Sequence, residues 1–120
     1  MSVLYDKDAD NTAVVVRTGS TRVNGVKVAQ RKVTAPKLYL QLFDSVTVTP
    51  GTTKPDMVIP VPAGNSNYDV MAFKIAMSGM RAGVGFDTGL TYCVTTVSDG
   101  GTAPAAGDEP EVTIGYVPVG

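Results

Sequence analysis

The sequence predicts an all-β protein, an antiparallel β-sandwich or jelly roll of about seven to eight strands. Three observations carry this. Val, Thr and Ile make up 36 of the 120 residues, and β-branched side chains fit a pleated surface but lose rotamer freedom in a helix. Apolar residues recur with a period of two in several short runs, and no run sustains a helical period. Thirteen Gly and eight Pro punctuate the chain between those runs. At 120 residues and 12.5 kDa the chain is expected to be one domain. Within it we expect a flexible N-terminal arm (1–11), a basic hairpin (12–36) and a sandwich body (37–120).

The arm carries Asp6, Lys7, Asp8 and Asp10 and has no apolar core of a secretory signal. Ala13 to Thr18 reads as a short buried strand through Val14, Val15 and Val16. Asn24-Gly25 separates Thr21-Arg22-Val23 from Val26-Lys27-Val28. Because Asn-Gly accepts positive φ at both central turn positions, a two-residue hairpin is predicted there. Lys37 to Asp44 alternates strictly, with Leu38, Leu40 and Leu42 on one face and Tyr39, Gln41 and Phe43 on the other. Its half-apolar second face predicts a central or interface strand.

Residues 44–56 form a loop around Pro50-Gly51. Met57 to Val61 contains Pro60, which cannot donate to a ladder, so an edge strand is predicted. After a loop at 63–67, Tyr68 to Met80 admits either a short helix, which Ala72, Phe73, Ile75, Ala76 and Met77 tolerate, or a strand, which the alternation over Val70 to Met77 favours, with its methionines filling core gaps. Asp87-Thr88-Gly89 is a turn, and Leu90 to Val97 alternates again. Ser98 to Pro110 is a long small-residue loop, expected to be mobile and to face solvent. Glu111 to Val117 closes the chain with Val112, Ile114 and Tyr116 facing one way.

The chemistry is thin. There is no His, which removes the commonest general base and a frequent metal ligand. The single Cys93 lies in an apolar run and reads as a buried thiol. Asp6-Lys7-Asp8-Ala9-Asp10 begins like a calcium loop, but the glycine position holds Asn11 and the bidentate-acid position holds Arg17. Gly83, Gly85 and Gly89 are spaced GxGxxxG with no helix expected to follow, so no phosphate cradle is predicted. We therefore expect no enzyme, no cofactor and no metal. No apolar stretch approaches the ~20 residues that span a bilayer.

Charge is distributed unevenly. Between Asn11 and Phe43 there is no acid, and six of the ten basic residues fall there. The candidate partner-binding residues are the acids Asp6, Asp8 and Asp10 with the bases Arg17, Arg22, Lys27, Arg31 and Lys32. The basic stretch has no aromatic residue for base stacking and the pI is 5.2, so nucleic acid is not the expected partner.

Four strings carry a resemblance: LYLQLFDS (Leu38 to Ser45), the Gly-Thr-x-x-Pro loop with its IPVPAG strand (Gly51 to Gly64), FDTGLTYCVTT (Phe86 to Thr96) with the Gly/Ala/Pro loop that follows (Gly100 to Asp108), and VTIGY (Val112 to Tyr116). Together, over Lys37 to Tyr116, they resemble small β-sandwich structural proteins of tailed bacteriophages and prophages. The resemblance implies a virion component assembled in the host cytoplasm. A capsid cement or decoration protein, binding the major capsid protein and present as a homo-oligomer on the particle, is the leading expectation. A tail-associated or receptor-binding module is the alternative. The acidic arm and basic hairpin are then the expected anchors, since a strand added to a partner sheet supplies main-chain hydrogen bonds.

Overall fold

The computed structural model describes residues 2–30, 32–64, 66–70 and 84–119. Arg31 and the part of the Tyr68–Met80 segment beyond Val70 lie outside the described residues. Nine strands are described: β1 (Ser2–Asp6), β2 (Val14–Thr18), β3 (Thr21–Gln30), β4 (Leu38–Phe43), β5 (Met57–Val61), β6 (Ser66–Val70), β7 (Val84–Phe86), β8 (Gly89–Thr95) and β9 (Glu111–Pro118). They form two antiparallel sheets. One runs β1-β9-β3-β6, with β7 also on β3; the other runs β2-β8-β4-β5. The β-sandwich class is as the composition predicts.

The core lies between the sheets. Leu38, Leu40, Leu42, Leu90, Tyr92 and Val94 come from one side, and Val23, Val26, Val28, Val112 and Ile114 from the other; all are at most 3% exposed. The alternating leucines of β4 thus point inward, and β4 is central, between β8 and β5. β5 is an edge strand, as Pro60 requires.

Two expectations about the N-terminal third are corrected. Residues 2–11 are packed into the sandwich and do not form an arm: Ser2–Asp6 pairs along its length with β9, and Ala9, fully buried, donates its N–H to the Pro110 carbonyl (3.0 Å). Nor do the described residues of 12–36 form a basic hairpin. β2 and β3 belong to different sheets, and Thr21–Gln30 is one continuous strand through Asn24-Gly25.

Asn-Gly here makes a bulge instead of a turn. Val23 pairs with Tyr116 and Gly25 with Gly115, leaving Asn24 as the extra residue. The extra residue resets the pleat, so Val23 and Val26, three apart, both reach the core. A hairpin would have forfeited the pairing of Thr21–Ala29 with β9 on both sides of the bulge.

β6 and β7 lie end to end along the same edge of β3. Val70 pairs with Val26 and Val84 with Val23.

Candidate functional site

The two sheets end in different outer surfaces. Behind the sheet containing β4, the outward side chains Gln41, Phe43, Thr91, Cys93 and Thr95 are all fully buried. Their cover is the chain's own loops. Gln41 is the hub: its Nε2 shares two hydrogens among Thr95 Oγ1 (2.9 Å) and the carbonyls of Gly100 (2.9 Å), Ser98 (3.2 Å) and Val97 (3.3 Å). Its Oε1 accepts from the Cys93 thiol at 3.5 Å. Thr91 donates to the Ser45 carbonyl. The loops 44–56 and 96–110 also meet each other, and a Cβ on Gly101 would stand 2.8 Å from the Pro50 carbonyl oxygen. Asn11 donates to the Gly101 carbonyl (2.9 Å). Residues 96–102 are therefore fastened to the sheet through their backbone carbonyls, while the side chains of Ser98, Asp99, Thr102 and Ala103 face solvent as expected.

The other outer face is open. Arg22, Lys27 and Ala29 of β3, Glu111 and Thr113 of β9, and Val3 and Tyr5 of β1 lie on it. Val3 and Tyr5 are 61% and 57% exposed. Tyr5 donates to Glu111, and these two line a shallow cleft with Lys27, Ala29 and Thr113.

The charged candidates do not gather into one patch. Asp6, at the end of β1, accepts from the Tyr92 hydroxyl (2.5 Å) and from the Asp8 N–H (3.1 Å). Asp8 sits in the exposed turn after β1. Asp10 caps the Thr12 N–H (2.8 Å), and its own carbonyl accepts from Val94 N–H (2.7 Å). Arg17 bends back to the Thr18 carbonyl at the end of β2 (2.9 Å). Arg22 and Lys27 share the open face. Lys32 lies 3.5 Å from Asp108 beyond the far end of β3. Arg22 and Gln30 are eight residues apart on an extended strand, so roughly 25 Å separates the two ends. The missed candidates are Val3, Tyr5, Glu111 and Thr113; alternation in Ser2–Asp6 and in Glu111–Tyr116 was the available signal.

Burial of Tyr92, then its bond to Asp6 and the charges of Asp6 and Asp10, hold its hydroxyl protonated well above the ordinary tyrosine range. Burial, with a smaller contribution from Asp10, pushes the Cys93 thiol up to about 11. Both shifts favour neutral, inert groups, and Cys93 is the buried thiol expected from its apolar run. Among the described residues no cluster of three or more His, Cys, Asp or Glu could hold a metal ion. No helix is long and apolar enough to cross a membrane among them.

A polar pocket beside Lys32 is lined by Gln30, Ala35, Gly107, Asp108 and Glu109. Gln30 Nε2 donates to the carbonyls of Pro36 (3.0 Å) and Pro62 (2.7 Å). Its buried Oε1 has no partner among the described residues.

No family model, curated protein or solved structure matches this chain.

Proposed function

We propose that this chain is a structural component of a tailed-phage virion, and that it acts as a capsid cement or decoration protein bound to the shell of the major capsid protein. The observation that carries the reading is the ordered series of strings from Lys37 to Tyr116 that resembles such proteins. Those strings fall on β4, β5, β8 and β9 and on the loops 44–56 and 96–110, the parts that build the sandwich and seal one of its faces.

The surface chemistry suits a contact role. The open face of β3 and β9 offers Lys27, Glu111 and Thr113 around a shallow cleft, with Arg22 farther along β3, a mixed polar surface of the kind that sets specificity and register. Many copies on one shell multiply a weak contact by avidity.

Quantitative mass spectrometry and antibody labelling of purified source particles test the reading. Copy numbers close to those of the shell protein, with label over the head, are the expected result. A few copies on the tail would replace it with the tail-associated module. Absence from particles would end both.

A further inference from the structure

Among the described residues, both edges of the sheet β2-β8-β4-β5 are blunted. β2 is kinked by a register shift between Val15 and Arg17. β5 carries Pro60. These are the usual devices against edge-to-edge pairing. β1 has none of them. It lies at the end of its sheet, it pairs with β9 over five consecutive residues without a shift, and it exposes Val3 and Tyr5.

The sequence of this edge, Ser2-Val3-Leu4-Tyr5-Asp6, is self-complementary. Antiparallel pairing of two copies about a two-fold axis at Leu4 sets Leu4 against Leu4, Val3 against Tyr5 and Ser2 against Asp6. Residue numbers of each pair sum to eight, so partners have the same parity. The register is therefore allowed whichever alternate residues of β1 point their N–H and C=O away from β9. On the open face it forms two aliphatic–aromatic cross-strand pairs, which stabilise sheets. On the core side it joins Leu4, already packed against the core, to its counterpart. The only carboxylate in the strand meets a serine, not another acid.

We propose that two copies of this chain associate through β1, joining their sheets into one continuous sheet. The inference is independent of where the protein works. A five-residue edge contact is smaller than a standard interface, so the dimer is weak and concentration-dependent.

Sedimentation velocity of the full chain across a concentration series is the first test, with a species of about 25 kDa, twice the 12.5 kDa of the monomer, expected to grow in. Val3→Lys is expected to raise the dimer dissociation constant roughly tenfold or more, because it removes both Val3–Tyr5 contacts and sets a hydrated charge on the pairing edge. Mixing Val3→Lys with Tyr5→Glu chains is expected to restore association, because the mixed pair keeps one native contact and gains an ion pair. Circular dichroism confirms that each variant is folded. In a second readout, Leu4→Cys chains are expected to cross-link under mild oxidation, since directly opposed Cα atoms lie about 5 Å apart. Ser2→Cys chains, whose equivalent positions would be roughly 13 Å apart, are not. A protein that stays monomeric at high micromolar concentration overturns the proposal. So does a dimer indifferent to Val3→Lys, or one in which Ser2→Cys cross-links as well as Leu4→Cys.

Discussion

The outer faces of the two sheets are built from similar alternating strands, yet one is sealed and the other is open. Gln41, Thr91, Cys93 and Thr95 would read as a solvated face, but loops 44–56 and 96–110 close over them. Arg22, Lys27, Thr113 and Tyr5 occupy the equivalent positions on the other sheet and remain accessible. The difference lies in side-chain chemistry. A central glutamine offers donors that can tether a returning loop, and Gly51, Gly100 and Gly101 let that loop approach closely. Charged residues on the opposite sheet keep their face hydrated. Stability is thus concentrated behind one sheet, while the other is left available for contacts.

The largest expected effect is at the sealed face. Gln41→Ala removes the donor that serves Thr95 and the carbonyls of residues 97, 98 and 100. It should cost about 3 kcal/mol in urea denaturation and speed amide exchange in residues 96–102. Gly101→Ala comes next. Its Cβ would press on the backbone of Pro50 at 2.8–2.9 Å, so a loss of about 1–3 kcal/mol is expected.

Alkaline pH probes the same region without mutation. Cys93 and Tyr92 both hold their protons more tightly when folded. The unfolded chain therefore releases protons first, beginning near the ordinary thiol value of 9.0. Stability should be level below that pH and fall above it, each group contributing a slope of up to about 1.4 kcal/mol per pH unit between its unfolded and folded values. A Cys93→Val variant should delay the onset toward the tyrosine range. Denaturation midpoints measured from pH 7 to 11 would check both.

At the open face, Arg22→Glu and Lys27→Glu should change stability by no more than about 0.5 kcal/mol. On the cement reading they should nevertheless weaken binding to purified shells. Unchanged shell binding would remove this face from the contact.

Regular local patterns were legible in the sequence, and partners distant in the chain were not. The Leu38-Leu40-Leu42 alternation marked a core strand, and Pro60 marked an edge. Asn24-Gly25 misled because a hairpin and a bulge use the same residues. Only β9, some 90 residues away, decides between them by pairing on both sides of Asn24. The acids at 6, 8 and 10 similarly suggested a free arm, although Asp6 and Asp10 spend their oxygens on Tyr92 and Thr12. Spacing along β3, not the local charge density, is what separates Arg22 from Lys32.

The position of β9 also bears on how the molecule assembles. β9, the last of the described strands, is inserted between β1 and β3. The sheet of β2, β4, β5 and β8 can be complete once residue 95 has been synthesised. The other sheet has to wait for residues 111–118, and until then Val23, Val26 and Val28 have no inward-facing partners from β9 beside them. During synthesis such a half-built sandwich exposes an apolar strand with an unpaired edge, a species prone to aggregation. Folding efficiency in the cell should therefore be sensitive to the sequence of Glu111–Pro118.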